Sequence, residues 1–465
     1  MNKDAANNYD TIIIGAGPAG SAASAILAEH GHRVLVLERE KFPRYHIGES
    51  LIPFSYQPLE RLGLIPQMKA SGFQKKFSVV FISPNGKASQ PFYFFNRYDR
   101  DTVAQTWQVL RSEFDQILVN NARSKGAQVI EEIAVKELIW ERSAAVPAAA
   151  RANVERRSDI SDGSIAFQPA AAGDGRTPGR VVGARAQKKS GEIVEFRAPI
   201  TLDCSGKESF AAVRNGWRVK DPYLNKVAVW TYYKGSKREP GIDEGQTAVA
   251  YVPEKGWFWH IPQHNDMVSV GVVAEGKYLT RGGVKDPKAI FHREVEQNLW
   301  IKDHLSVGRQ VGDYFVTSEY SFHARHCGCE GLLLVGDAFA FLDPVFSSGL
   351  MLALKSGVLA GEEVHKAILE RDFSPQRFAD YARYLRAGVE NMRKLVYAFY
   401  NPDFSFKKVI DKYPDAAGDI TDCLAGDVNK DFEPLWKKIR EFAPLPEDLP
   451  VGEPLVEPEP TVRAV

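Results

Sequence analysis

The chain has 465 residues, 44% apolar and 25% charged, with 59 basic and 59 acidic side chains and a formal net charge of zero. At that length roughly three quarters of the unfolded surface can be buried, so a core needs no disulfide or metal staple. The composition excludes extensive disorder, and the charge balance excludes a phosphate-tracking surface, so no nucleic-acid partner is expected.

Residues 1–9 are polar and lead into an apolar run with no secretory h-region before it. From Thr11 to Ala28 there is no charge, about the length of a membrane span, but Gly15, Gly17, Pro18 and Gly20 suit a buried strand, turn and helix instead. Cys204, Cys327, Cys329 and Cys423 are too few for a disulfide framework and fit a reducing compartment. A cytoplasmic protein without integral membrane association is the expectation.

In chain order, Tyr9–Ile14 predicts a buried parallel strand, Pro18–His30 a small-residue helix ended by Gly31, and Val34–Leu37 a second strand, together one βαβ unit. Residues 55–70 predict a helix with Leu59, Leu62 and Met68 on its apolar side. Strands follow at Phe77–Ile82 and Phe92–Phe95, joined through Pro84-Asn85-Gly86. Ser112–Lys125 predicts a helix capped by its serine and stopped by Gly126, after which strands dominate to about residue 275. The Ala/Gly/Pro-rich stretch 143–180 has no apolar period and predicts an exposed insertion without a part in the chemistry. Helices resume from about 346 and pass 400, and the Pro/Glu-rich residues 444–465 predict a tail that is disordered or draped over the surface.

Gly15-Ala16-Gly17-Pro18-Ala19-Gly20 is G-x-G-x-x-G, placed after a strand and opening a helix. Gly15 permits the tight turn, Gly17 lets backbone approach a pyrophosphate, and Gly20 lets the helix pack on the sheet. The helix N-terminus adds amide donors for the same anion. Glu38 ends the second strand, 18 residues after Gly20, where its carboxylate can accept from ribose hydroxyls.

Further along, Leu332–Val335 runs into Gly336-Asp337-Ala338, and Leu202-Asp203-Cys204-Ser205-Gly206 forms a D-x-x-G. These resemble the later flavin motifs of the p-hydroxybenzoate hydroxylase-like flavoproteins. The resemblance implies FAD, with Asp337 on the ribityl chain and Arg111 touching the flavin; Pro18, Ala19, Arg39, Arg44, Ser50, Gly349 and Leu350 complete the implied cofactor contacts. No second G-x-G-x-x-G follows another strand, so nicotinamide binds transiently or reduced flavin comes from a partner.

Three segments then resemble the flavin-dependent halogenases. Trp257-Phe258-Trp259-His260-Ile261-Pro262 matches their W-x-W-x-I-P, with both indoles on one side of a strand. Phe341-Leu342-Asp343-Pro344-Val345-Phe346-Ser347-Ser348-Gly349 matches F-x-x-P-x-x-S-x-G; the resemblance puts halide at Ser348 and Gly349, where a helix start offers unpaired amides. Gly72-Phe73-Gln74-Lys75-Lys76-Phe77 matches the segment of the family's essential lysine, and the family spacing selects Lys76 over Lys75. Taken alone, each has a plain structural alternative: a packed aromatic strand, a serine-capped helix, a solvated lysine.

The mechanism implied by this resemblance uses FADH2, O2 and chloride or bromide. A flavin C4a-hydroperoxide gives hypohalous acid, which travels past Trp257 and Trp259 to Lys76. There the amine either hydrogen-bonds it or becomes an N-halamine, and an electron-rich ring is halogenated. An N-halamine needs neutral amine, hence a pKa depressed by desolvation, and the sequence leaves the two forms open. Phe346 stands where halogenases of free tryptophan carry a Glu, and Tyr45–Pro53 and Val396–Phe406 look more like the branch acting on phenols or pyrroles. Many members of that branch take substrate from an acyl or peptidyl carrier protein, in antibiotic biosynthesis and other secondary metabolism. A separate flavin reductase is the implied partner.

The expected fold is a flavin monooxygenase-like α/β architecture. Residues 1–75, 101–134, 199–215 and 320–370 are assigned to a discontinuous FAD-binding domain, and 76–100, 135–198 and 216–319 to a β-rich substrate domain. Residues 371–443 form a C-terminal helical region. Alternatives are an aromatic hydroxylase, an isoprenoid-type reductase, or a non-catalytic escort protein on the same fold. The run His323–Cys329 has zinc-site ingredients, but its C-x-C is too tight and no second ligand pair follows, so no metal is expected.

Overall fold

Thr11–Ile14 is apolar on both faces and forms the centre of a six-stranded sheet in a computed structural model, which describes residues 7–142, 179–318, 321–449 and 452–454. The sheet order is Gly328–Cys329, Leu332–Leu334, Ile200–Asp203, Thr11–Ile14, Val34–Leu37, Gln128–Ile130. Its inner pairings are parallel, with Ile12 opposite both Thr201 and Leu35, and Leu202 opposite Leu333. Burial on both faces is what such uninterrupted apolar strands require. The helices Pro18–Glu29, Arg111–Ser124 and Gly349–Glu370 cover one side, with Ala22, Ile26, Phe114, Val119, Leu354 and Val364 in one core.

The other side is covered by an antiparallel sheet of Ile133–Arg142, Gly179–Lys188 and Ile193–Arg197. Ile12, Leu35 and Leu37 pack there against Ile133, Ala184, Ala186 and Phe196. Residues 135–198, grouped by sequence with the β-rich domain, therefore complete the parallel sheet's core wherever they are described. The expected insertion 143–180 falls, apart from Gly179 and Arg180, outside the described residues.

A seven-stranded sheet forms the second layer, in the order Arg309–Ser318, Lys226–Lys234, Met267–Glu275, Trp257–Pro262, Thr247–Tyr251, Ser78–Ile82, Phe92–Tyr93. Alternation sorts its residues. Val80, Phe258 and Val272 turn outward to the helices Pro287–Val295 and Leu299–Leu305, while Val79, Trp257, Trp259 and Ile261 turn inward. The inward face packs on Phe346, Met351 and the C-terminal helices Ala379–Tyr400, Phe406–Lys412, Ala416–Ala425 and Glu433–Ile439.

Several boundaries differ from expectation. Residues 55–70 form two short helices, Tyr56–Arg61 and Ile65–Ala70, because Gly63 takes φ +78° between them. The helix expected to be capped by Ser112 starts at Arg111 after Leu110 and has no side-chain cap. Arg111 is held inside its first turn by an ion pair to Asp115 at 2.8 Å, one helical turn on. The described part of the tail is fixed: Gly452 N–H donates to Arg325 O at 2.8 Å, and Arg393 donates to the Glu447 carbonyl. Among the described residues no helix is long and apolar enough to cross a membrane.

Candidate active site

The glycine turn is built by contact. Gly15 has φ +94°, and a Cβ there would lie 2.7 Å from the Cys204 carbonyl oxygen. A Cβ on Gly20 would lie 1.9 Å from the Gly15 oxygen, so only hydrogen fits where the helix crosses its own turn. Glu38, 5% exposed, accepts the Ala16 N–H at 2.8 Å and the Glu40 N–H at 3.0 Å, pinning the second strand's end beside the turn.

These residues wall a cavity of about 580 Å³. Gly15, Gly17, Pro18, Ala19, Glu38, Arg39 and Arg44 line it, and so do Ser50, Arg111, Asp337, Gly349 and Leu350. Gly20 lies behind the wall. Arg39 is largely exposed and pairs with Glu208; Arg44 is partly buried and donates to Asp115 at 3.1 Å. Arg111 gives Nε and Nη2 to Asp115 and Nη1 to the Ile47 carbonyl at 2.7 Å, so its guanidinium organises the 46–48 loop as well as facing the cavity.

Asp337 is different: among the described residues its carboxylate accepts no hydrogen bond. Burial pushes its pKa up to about 7. A carboxylate on a cavity wall that takes no hydrogen bond from the described residues, though Arg111 and Lys207 act on its charge, suits a ligand hydroxyl, and with the glycine cradle and Glu38 the residues present fit FAD.

Two of the three halogenase-like segments meet on the same cavity. Trp257, Trp259 and Ile261 wall it from one strand face, with the two indoles 6.1 Å apart; Pro262 ends that strand off the wall. Trp257 Nε1 donates to the Tyr400 hydroxyl at 2.8 Å, and Tyr400 donates to Asp343 Oδ2 at 2.9 Å. Two segments far apart in sequence are thus joined through a C-terminal helix, a link without local signal. Trp259 Nε1 donates to Ser269 Oγ at 3.0 Å.

Pro344, Ser347, Gly349 and Leu350 also form wall, and Ser347 takes φ +57° just before the 22-residue helix opens at Gly349. A Cβ on Gly349 would meet nothing within 4 Å. The first amides of that helix have no helical acceptor, so an anion fits here. Ser348 is 2% exposed and lies behind this wall.

Lys76 is 1% exposed, at the end of the short strand Gln74–Lys76 paired with Thr106–Gln108. Its Nζ donates to Ser50 Oγ at 2.9 Å and to the Leu51 carbonyl at 3.1 Å, and lies 5.7 Å from the Phe94 ring centre. Burial lowers its pKa to about 7. Lys76 is not on the cavity wall; Ser50 is, and Ser50 also meets Thr247 Oγ1 at 3.1 Å, which accepts from Gln108 Nε2 at 2.9 Å. Ser50, expected as a cofactor contact, is therefore the hydroxyl between the cavity and the amine. Thr247 and Gln108 were not singled out by the sequence, because strand pairing alone brings them there.

Phe346 packs against Phe399 at 5.6 Å and Phe406 at 6.3 Å, part of an aromatic cluster that also holds Phe81 and Tyr251. Among the described residues no group of three or more His, Cys, Asp or Glu is arranged to hold a metal ion.

A family model described as tryptophan halogenase matches residues 172–411, and an FAD-binding-domain model matches residues 8–161. The chain is 28% identical over 458 residues to a 1H-pyrrole-2-carbonyl-[peptidyl-carrier protein] chlorinase of Pseudomonas fluorescens, covering 94% of this chain and 93% of that one. It is 28% identical to the corresponding brominase of Pseudoalteromonas luteoviolacea, with 84% and 86% covered. Among solved structures, the flavin-dependent brominase Bmp2 superposes with a TM-score of 0.76 at 26% identity, covering 94% of this chain and 97% of that one. The myxobacterial chondrochloren halogenase CndH gives 0.71 at 29%, with 94% and 96% covered.

Proposed function

This chain belongs to the flavin-dependent halogenase family and is an FADH2-dependent halogenase; on that premise we propose that it halogenates a phenol or pyrrole ring tethered to a carrier protein, with Lys76 as the residue that presents the oxidant. The observation that carries the reading is the position of Lys76: a dry amine one hydroxyl away from a cavity walled by the glycine turn, the two indoles and the start of the long helix.

Bound reduced FAD supplies, with O2 and halide, the oxidation that yields hypohalous acid. The chain's own residues do the rest. Gly15, Gly17 and the amides after them hold the pyrophosphate, Glu38 the ribose, and Asp337 the ribityl hydroxyls. Gly349 and the first-turn amides hold halide, as the helix dipole favours. Trp257, Trp259 and Ile261 give the cavity an apolar wall, which keeps water from consuming the oxidant.

At Lys76 the lowered pKa matters. With a value of about 7, the amine is present in both forms near neutral pH. As ammonium it donates a hydrogen bond from Nζ to the oxygen of hypohalous acid. As neutral amine it has the lone pair that an N-halamine needs. Both place electrophilic halogen at one point, away from the cavity. Phe346 in place of an acidic residue, and the carrier-protein substrates named for two relatives, support a ring other than free tryptophan. A separate flavin reductase supplies FADH2.

The test supplies chemically reduced FAD, O2 and chloride or bromide with free and carrier-bound phenols and pyrroles, read by mass spectrometry. Halide-dependent mass gain on a carrier-bound ring is expected. Hydroxylation that ignores halide would contradict the reading.

A further inference from the structure

Glu49 is 2% exposed, and among the described residues no cation forms an ion pair with it. It walls both the large cavity and a second one of about 240 Å³. Glu49 Oε1 accepts the Tyr232 hydroxyl at 2.9 Å, the Tyr232 and Tyr45 hydroxyls are 3.0 Å apart, and Trp230 Nε1 donates to Tyr45 at 2.7 Å. The Tyr232 hydroxyl has a single proton to share between Tyr45 and Glu49; given to Glu49, it leaves the Tyr232 oxygen free to accept the Tyr45 proton, while the Tyr45 oxygen accepts the Trp230 N–H. The outer end of this chain is a ring 47% exposed, and the inner end is a buried carboxyl.

Halide oxidation takes up one proton for each turnover: FADH2 + O2 + X− + H+ → FAD + HOX + H2O. We propose that Tyr45, Tyr232 and Glu49 are the relay that carries this proton from solvent into the flavin-side cavity, an inference that rests on the halogenase reading. The Glu49 O–H bond breaks as an O–H bond forms on the oxygen that leaves as water. Tyr232 reprotonates Glu49, Tyr45 reprotonates Tyr232, and bulk water reprotonates Tyr45; no electrons move along the chain. Burial raises the carboxyl's pKa and so favours the protonated form, against the opposing influence of Arg111, Ser269, Gln263 and the Tyr232 hydroxyl itself.

Tyr232→Phe keeps the ring beside Tyr45 and Phe315 but removes the middle hydroxyl. The first readout is infrared spectroscopy of the cofactor-free protein: a protonated-carboxyl C=O band, identified by its loss in Glu49→Gln, that shifts on transfer to D2O. The shift should complete within mixing in the wild type and be roughly tenfold or more slower in Tyr232→Phe, with Tyr45→Phe also slowed. No such band, or equal exchange in all three proteins, overturns the relay. In the FADH2-loaded enzyme, Tyr232→Phe should slow hypohalous acid formation on the order of a hundredfold at unchanged FAD affinity; an unchanged rate also overturns it. Failure of the halogenase reading itself would show differently, as no hypohalous acid from wild type with the exchange difference intact.

Discussion

Replacing Lys76 by Met removes a buried amine while keeping an unbranched chain of similar length. A lysine whose folded pKa of about 7 lies below its unfolded value of 10.5 costs stability. That cost is fully present below pH 7 and is relieved as pH rises toward 10.5, because the unfolded chain holds the extra proton in between. At about 1.4 kcal/mol per pKa unit, the cost is about 5 kcal/mol at pH 6 and about 2 kcal/mol at pH 9. Against this, Met leaves the Leu51 carbonyl and one Ser50 contact without their donor, a pH-independent loss of about 1–3 kcal/mol. Lys76→Met is therefore expected to be more stable than wild type at pH 6, with the advantage shrinking by about 3 kcal/mol by pH 9. Urea unfolding of the cofactor-free proteins at the two pH values measures this, and the ε-carbon NMR signal missing from the variant should titrate near 7 in the wild type. A variant equally destabilised at both pH values, or a lysine titrating above 10, would mean that Lys76 is not a desolvated amine.

Gly20→Ala forces its Cβ onto the Gly15 oxygen and against Cys204, so the turn opens. FAD affinity should be lost, and the thermal midpoint should drop in step with about 1–3 kcal/mol of overpacking. Asp337→Asn removes a carboxyl whose pKa is raised to about 7, a cost present above pH 7 and absent below the unfolded value of 3.8. The cofactor-free variant should accordingly gain stability at pH 8 and lose that gain as pH falls toward 4. Its FAD affinity, read by fluorescence titration, should fall about tenfold for one weakened hydrogen bond to a charged group.

Much of the flavin half was legible because its signals are local. The strand, glycine turn and helix of residues 11–29 follow from apolar runs and from glycines that a Cβ would block. Trp257, Trp259 and Ile261 share a face because a strand alternates, and that face is the cavity's wall. Harder to read were contacts made by chain reversals. Ser50 reaches Lys76 across 26 residues, and Tyr232 reaches Glu49 across 183; no spacing rule announces either. Ser112 looked like a cap, but the helix starts at Arg111, whose ion pair to Asp115 lies one turn on, and has no side-chain cap. Strands grouped with the β-rich domain, within residues 179–198, pack on the parallel sheet, since only packing reveals which apolar face needs them.

In this enzyme oxidant is proposed to form in one compartment and to be presented in another by Lys76. Single-turnover reaction of Lys76→Met with FADH2, O2, halide and a carrier-bound acceptor measures it directly, counting halogenated ring and hydrogen peroxide per flavin oxidised. FAD binding and flavin reoxidation as in wild type, peroxide release, and ring halogenation reduced on the order of a hundredfold or more are expected. Halogenated ring formed by the variant in wild-type yield would contradict it.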